Sequence, residues 1–122
     1  IWICGFGLQK VTEIANCKSK IKNQMKKAVF ITYNQALTER VAYILEQLRI
    51  KGFTQWPMVN GAGTEGGEPR MGSHTWPEMN SATITIVEEE MVPLILKYVK
   101  KLDEVNKENG IRAFVWDITD MY

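Results

Sequence analysis

The order of apolar patterns from Lys27 onward constrains the fold of this 122-residue chain more than any other feature. Four short runs rich in β-branched and aromatic residues have the composition of strands. Two stripes of apolar residues at helical spacing separate the first run from the second and the third from the fourth. The runs are 28–33, 52–59, 81–89 and 111–118, and the stripes are Leu37, Val41, Ile44, Leu45 and Leu48, then Val92, Ile95, Val99, Leu102 and Val105.

Residues that start or stop regular structure lie between these patterns. Asn34 is a cap for the first helix, and Gly52 suits a left-handed end of that helix. Pro57 restricts the second strand to an edge of the sheet or to a bulge. Pro93 is tolerated in the first turn of the second helix, which Asn109-Gly110 ends. The predicted order of elements is therefore βαββαβ.

This order predicts an α+β fold, a ferredoxin-like sandwich with an antiparallel four-stranded sheet and two helices on one face. A one-sided sheet should alternate apolar and polar residues, but these strands carry large or β-branched side chains on both faces. We therefore expect the second face to be buried against other copies of the chain in a closed ring. A charge at Val115 or Ile84 should dissociate or unfold that ring.

Residues 1–24 differ in character from the remainder of the chain. The stretch "MKKAVFITYN", beginning at Met25, resembles a bacterial start followed by a strand. We predict that 1–24 is an N-terminal extension outside the native domain and that 25–122 is the domain. The alternative is a genuine extra element, with a strand at 1–4 and a weak helix near 10–22.

Charge and cysteine content exclude some classes of function. The formal net charge is +1, which gives no electrostatic case for binding nucleic acid. No apolar run approaches the roughly 20 residues of a membrane span. Both cysteines, Cys4 and Cys17, lie near the beginning of the sequence. A bridge between them is conceivable, but their scarcity favours a reducing, cytoplasmic location.

The segment 60–80, "NGAGTEGGEPRMGSHTWPEMN", is a long loop between the second and third strands. Loops of this length inside a compact domain are usually functional or mobile. We expect a mobile part at 61–70, which is rich in glycine, and a fixed part at 74–80, which leads into the third strand.

These residues resemble a known family. The opening "MKKAVFITYN", the long loop and "GSHTWPEMNSATITIV" resemble the PII-like signalling proteins, in a divergent branch near the nitrogen regulatory PII and CutA groups. The resemblance covers 25–122 and is most specific at "HTWPEMNSA". It implies a homotrimer with inward-facing sheets and with small ligands in the clefts between subunits. It also implies that 60–80 is a T-loop, which moves when ligand binds and docks on a protein target, often a membrane transporter.

The resemblance gives the candidate ligand-binding residues and one departure from the family pattern. The candidates are His74, Trp76, Glu68, Arg70, Lys107 and Arg112. Nucleotide-binding PII proteins carry a glycine-rich loop between the second helix and the fourth strand, where backbone amides hold phosphate. The corresponding "VNKENGIRAF" has one glycine, which makes ATP or ADP binding doubtful, although Lys107 and Arg112 can serve a phosphate.

A second hypothesis concerns a metal. Met71, His74 and Met79 supply thioether and imidazole ligands, which suit soft ions such as Cu(I), and Trp76 can add a cation–π contact. The structural alternative is that Trp76-Pro77 anchors the loop base while His74 forms local hydrogen bonds.

Enzymatic activity is disfavoured because a lone histidine, with no cysteine in 25–122, leaves no set for nucleophilic catalysis. The leading hypothesis is a non-enzymatic regulatory protein that senses a small ligand and signals to a protein partner through 60–80. The alternative is a CutA-like metal-binding protein that acts in copper tolerance.

Overall fold

The computed structural model of the protein describes residues 25–64 and 66–122. The prediction that 1–24 is an extension, its alternative of a strand and a weak helix there, and a bridge between Cys4 and Cys17 all lie outside the described residues. Within them, no helix is both long enough and apolar enough to cross a membrane.

The described elements confirm the predicted order. They are β1 (Lys26–Asn34), a 3₁₀ turn (Gln35–Leu37), α1 (Thr38–Gln47), β2 (Thr54–Val59), β3 (Asn80–Glu88), a 3₁₀ turn (Glu89–Met91), α2 (Val92–Val105) and β4 (Ile111–Asp117). The four strands form one sheet in the order β2-β3-β1-β4, and each neighbouring pair is antiparallel. This arrangement is the predicted ferredoxin-like sandwich.

Pro57 acts as predicted on strand β2. This strand lies at an edge of the sheet, and its register with β3 shifts between Trp56 and Val59. Proline cannot donate a backbone hydrogen bond, so it is tolerated at such an irregular edge. The carbonyl of Pro57 instead accepts a hydrogen bond from the Ser81 hydroxyl at 2.7 Å.

The core lies between the sheet and the two helices. Val29, Ile31 and Tyr33 of β1 pack against Val41 of α1 and against residues of α2 that include Ile95. Alternate residues of β1 therefore bury one face of the strand against the helices.

Strand β3 contributes polar residues to the same side, namely the buried Ser81, Thr83 and Thr85. Their hydroxyls are hydrogen-bonded, as buried polar groups require. Thr83 Oγ1 lies 2.8 Å from the Tyr33 hydroxyl, and Thr85 Oγ1 donates to the Gly52 carbonyl at 2.6 Å. Polar side chains on β3 are thus compatible with a tightly packed core.

The two ends of α1 differ in how well the sequence predicted them. The Asn34 side chain accepts a hydrogen bond from the Ala36 amide at 2.9 Å, which confirms the predicted cap. The left-handed end predicted at Gly52 is wrong, because Arg49 has that conformation, with φ of 58°.

The amide of Ile50 donates a hydrogen bond to the Leu45 carbonyl, and the amide of Arg49 donates one to the Glu46 carbonyl. This pair of hydrogen bonds is a Schellman motif. Ile50 packs on the core in this arrangement. The burial of Ile50 therefore fixes the helix end, even though Arg49 is not a glycine.

The face of the sheet opposite the helices is apolar, and we call it the open face. Phe30 pairs across the sheet with Ile84 and Phe114. Its ring lies 6.3 Å from that of Trp56 and 6.2 Å from that of Trp116. Ile86 on the same face is 42% exposed. The described residues therefore leave an aromatic surface of the sheet without cover.

The strand registers place Val115 and Ile84 on opposite faces of the sheet, although the prediction from the sequence assigned both residues to the buried ring interface. Ile84 lies on the open face, opposite Phe30. Val115 pairs with Val29, whose side chain faces the helices, so Val115 belongs to the helix side. A charge at Val115 therefore does not test burial of the open face.

Ion pairs join β1 to both of its neighbours. Lys26 pairs with Glu88 of β3, and Lys27 pairs with Asp117 of β4, each directly across the sheet. The hydrogen bond to Asp117 raises the pKa of Lys27 above its usual value. These pairs lie at the end of β1 opposite Asn34.

The first prediction concerns the buried hydroxyl of Tyr33, which contacts Thr83 and also accepts from Gln55 Nε2 at 3.2 Å. Tyr33→Phe leaves the buried Thr83 hydroxyl without this partner, so the free energy of unfolding should fall by about 0.5–1.5 kcal/mol. Urea unfolding at fixed protein concentration measures the change. Tyr43→Phe on α1 is the control, since Tyr43 is 60% exposed, and an equal loss in both variants would contradict the assignment.

Candidate functional site

The 60–80 loop is closed by a pair of backbone hydrogen bonds, which we call the neck. The amide of Gly61 donates to the Arg70 carbonyl at 2.9 Å, and the amide of Arg70 donates to the Gly61 carbonyl at 2.7 Å. This is an isolated antiparallel bridge. The chain leaves the body at Gly61 and returns to it at Arg70.

After the neck, residues 72–78 form a compact turn. The Gly72 amide donates to the Glu78 carbonyl at 3.1 Å, and the Ser73 amide donates to the Trp76 carbonyl at 2.9 Å. The Ser73 hydroxyl accepts in return from the Trp76 amide at 3.0 Å. These bonds hold the turn together, while the predicted mobility of 61–70 and the predicted order of 74–80 both stay predictions.

The end of this turn is fastened to the body of the protein. The carbonyl of Met79 accepts a hydrogen bond at 3.0 Å from the amide of Gln35, which follows β1. His74 and Thr75 are exposed at the tip, and Trp76 is half-buried. The turn thus exposes the imidazole of His74 at its tip, while hydrogen bonds hold the other end of the turn to the protein.

Arg70 connects three parts of the molecule. Its Nη1 donates to the Asn80 side-chain oxygen, at the start of β3, at 3.1 Å. Its Nε lies 3.6 Å from Glu78 Oε2. Its guanidinium also lies against Gly110 in the α2–β4 connection, where an added Cβ would meet Nη2 at 3.3 Å. A side chain at residue 110 would crowd the guanidinium, so this contact favours glycine.

Asn34 completes a polar group around Arg70. Its side-chain amide donates to Glu78 Oε2 at 3.5 Å, and its backbone amide donates to the Gly110 carbonyl at 3.2 Å. Asn34 also pairs with Asn80 across β1 and β3, which brings both asparagines to the same end of these two central strands. We call the five residues Asn34, Arg70, Glu78, Asn80 and Gly110 the Arg70 cluster.

The guanidinium of the cluster has one donor that is open to an anion. Arg70 Nε is buried and has no hydrogen-bond partner among the described residues. A guanidinium presents its donors as a rigid fork that matches carboxylate and phosphate oxygens. An oxyanion with access to Nε would therefore satisfy a donor that the described part of the chain leaves open.

The structure brings together only part of the predicted ligand set. Arg70 belongs to the cluster. Arg112 instead donates to the carbonyl of the preceding residue, Ile111, at 2.8 Å and lies 3.6 Å from Asp103, and its side chain is exposed. Glu68 and Lys107 are exposed, and no hydrogen bond or ion pair joins either of them to the cluster in the described part of the chain.

The sequence missed Asn34, Glu78, Asn80 and Gly110 as site residues. Asn34 was interpreted only as a helix cap, and Asn80 only as the last residue of the loop that leads into the third strand. A signal was available, because antiparallel pairing of β1 with β3 places the end of one beside the beginning of the other. Two asparagines at these positions therefore indicate that polar side chains meet where β1 ends and β3 begins.

The proposed soft-metal set gains no support. The sulfur of Met79 packs against the backbone of Gly72, where an added Cβ would lie 2.3 Å from it, while His74 is exposed at the tip of the turn. Within 25–64 and 66–122, no group of three or more His, Cys, Asp or Glu side chains could hold a metal ion. The copper hypothesis for Met71, His74 and Met79 stays an unsupported prediction.

Solved structures share this fold. CPII, a nitrogen regulatory PII-like protein from Thiomonas intermedia K12 bound to ADP, AMP and bicarbonate, is 24% identical, with a TM-score of 0.63 over 77% of this chain and 86% of its own. A structure from Thermus thermophilus, assigned as a PII-like signalling protein, is 25% identical, with a TM-score of 0.53 over 77% and 87% of the two chains.

A DUF3240 family protein from Shewanella baltica OS155 is 17% identical, with a TM-score of 0.56 over 80% and 93% of the two chains. No family model and no curated protein matches the sequence. The structural matches confirm the resemblance that "HTWPEMNSA" suggested, at the level of the fold. They give no support to the CutA-like alternative.

The second prediction concerns Gly72, which has φ of +63° and lies against the sulfur of Met79. Gly72→Ala should lower the free energy of unfolding by about 1–2 kcal/mol, because alanine is strained at positive φ and its Cβ would displace Met79. Chemical denaturation measures the loss. Gly52→Ala is the control, since φ there is not positive and no atom lies within 4 Å of an added Cβ. Equal stability of the two variants would contradict the prediction.

Proposed function

We propose that this chain, a divergent PII-like protein by its fold, is a regulatory protein that binds a small anionic ligand at Arg70. The observation that carries the proposal is the buried Nε of Arg70, which has no hydrogen-bond partner in the described part of the chain. The position of Arg70, between the neck of the loop and the α2–β4 connection, links such a ligand to the loop.

Two classes of ligand fit this chemistry. The similar protein CPII is bound to ADP, AMP and bicarbonate, which all carry oxyanions that a guanidinium can bind. The α2–β4 connection of this chain has a single glycine, which argues against a full cradle for nucleotide phosphates. Gly110 does lie directly beside Arg70. We therefore propose bicarbonate or a comparable small oxyanion first, and an adenine nucleotide second.

The partial burial of Arg70 favours strong hydrogen bonds to an anion. The side chain is 21% exposed, so part of its charge is withdrawn from water. Charge-assisted hydrogen bonds are stronger in such surroundings than at a fully solvated surface. A single arginine with an open donor can therefore make a measurable contribution to affinity.

The signal would pass to a protein partner through the 60–80 loop. Arg70 lies at the neck of this loop, and the turn that follows presents His74 and Thr75 on its exposed tip. The partner is a protein, and a membrane transporter is the kind of target that the family resemblance implies. The proposed role is non-enzymatic, and the proposed location is cytoplasmic, which is the location that the scarcity of cysteine favours.

The open face supports a trimer as the working form. Its aromatic residues, including Trp56 and Trp116, are exposed in the single chain and lie side by side. A contiguous exposed apolar surface often marks a protein–protein interface. Three inward-facing sheets would cover this surface and would place the Arg70 clusters in clefts between subunits. Burial of the open face and ligand binding at the cleft are thus parts of one proposal.

The third prediction tests the ligand site. Isothermal titration calorimetry with bicarbonate and with ADP should detect binding to the wild type and a loss of about 10-fold or more in Arg70→Gln, because a hydrogen bond to a charged group is lost. Arg40→Gln is the control, since this α1 guanidinium is held by Asn106 at 2.9 Å. Equal affinity of Arg70→Gln and the wild type would contradict the assignment.

The fourth prediction tests the assembly. Size-exclusion chromatography with light scattering should give three times the 14.0 kDa chain mass for the wild type. Ile86→Asp should dissociate or unfold the trimer, because it buries an unpaired charge. Leu94→Asp is the matched control, since Leu94 is 44% exposed but lies on α2. A wild-type monomer, or an intact Ile86→Asp trimer, would contradict burial of the open face.

A further inference from the structure

We infer that Glu78 competes with the anionic ligand for Arg70, and that its displacement by ligand releases the 72–78 turn. This inference rests on the proposed function and adds a regulatory contact to it. The contact is between two charged residues of the loop itself, one at the neck and one at the end of the turn.

The ion pair between Arg70 and Glu78 is loose. Glu78 Oε2 lies 3.6 Å from Arg70 Nε, which is beyond the usual range of an N–H···O hydrogen bond. The Glu78 side chain is 56% exposed, so water can solvate its carboxylate once the pair is broken. Nε is therefore neutralised by a nearby anion without being hydrogen-bonded to it, and a ligand oxygen can improve on that arrangement.

Ligand and Glu78 cannot both occupy this position favourably. A ligand oxygen hydrogen-bonded to Nε would lie about 2.8 Å from it. Glu78 Oε2 already lies 3.6 Å from the same atom. Two anions this close repel each other, and one of them must leave or take up a proton. Glu78 is not hydrogen-bonded to Nε, and its side chain is more exposed than that of Arg70. The Glu78 side chain is therefore the group that moves.

Movement of Glu78 weakens the base of the turn. Glu78 Oε2 also accepts the hydrogen bond from Asn34, and the backbone carbonyl of the same residue accepts from the Gly72 amide. Displacing the side chain breaks its contact with Asn34 and removes the attraction to Arg70. The Gly72–Glu78 backbone bond then loses the two side-chain contacts that hold Glu78 in place.

The neck does not depend on Glu78. Its two hydrogen bonds join the backbones of Gly61 and Arg70, and Arg70 Nη1 is held separately by Asn80. Ligand binding therefore leaves the neck closed while it loosens the turn that carries His74 and Thr75. The responsive part of the loop is the turn, although the sequence predicted that part as the fixed one.

The test of competition uses Glu78→Gln, which removes the charge and retains the shape of the side chain. With bicarbonate and ADP as probes, calorimetry should show about 2- to 5-fold tighter binding than in the wild type, which corresponds to loss of one partly exposed ion pair. Glu46→Gln on α1 makes the same change of charge at an exposed position outside the loop and should bind as the wild type does.

The test of coupling is hydrogen exchange of the segment 71–79 and of the neck amides. Without ligand, Glu78→Gln should exchange faster at Gly72 and Ser73 than the wild type and Glu46→Gln. Ligand should accelerate the same amides in the wild type and leave those of Gly61 and Arg70 unchanged. A ligand that merely tightened the protein would slow all of these amides.

The outcomes separate the inference from the proposed function. If neither probe binds the wild type, the proposed function fails, and the competition fails with it. If the wild type binds but Glu78→Gln binds no more tightly, or if its turn exchanges as slowly as that of the wild type, the inference alone is overturned. Tighter binding together with faster exchange at Gly72 supports it.

Discussion

One-sided cover of the sheet is the constraint from which the other features follow. The core between β1 and the two helices buries Val29, Ile31 and Tyr33 on one side of the strand. The opposite side, around Phe30, carries an aromatic surface that the described residues do not cover. Hydrophobic burial is the main driving force of association, so such a surface favours self-assembly. In the proposed trimer, the strand ends that carry the Arg70 cluster would line the clefts between subunits.

Arg70 connects that assembly to the loop because it contacts the ends of several elements. Its backbone closes the neck with Gly61, and its guanidinium reaches Asn80 of β3 and Gly110 before β4. Glu78 supplies a nearby negative charge without a hydrogen bond to Nε. Glu78 therefore balances the charge of Arg70 when no ligand is bound, and an anionic ligand can still replace Glu78 beside Nε. The same residue can therefore stabilise the loop and report the presence of a ligand.

The fold could be predicted from the sequence because local and global signals agree: strand-like runs, two helical stripes and Pro57 at an irregular edge all indicate the same sandwich. The end of α1 could not, because burial of Ile50, a tertiary contact, places Arg49 rather than a glycine in the left-handed region. The site was predicted only at Arg70. The side chains around it come from separate segments, and their distances depend on strand register and on the course of the loop, which composition does not specify.

The central claim is that the open Nε of Arg70 receives the ligand. The most direct measurement is a titration of the wild-type protein with bicarbonate or ADP, followed through the Nε–H resonances of its arginines by NMR. The indole resonances of Trp56 and Trp116, on the open face, serve as internal references. The account predicts that the Arg70 resonance shifts and that its exchange with water slows as ligand is added. Saturable binding that leaves the Arg70 resonance unchanged would contradict it.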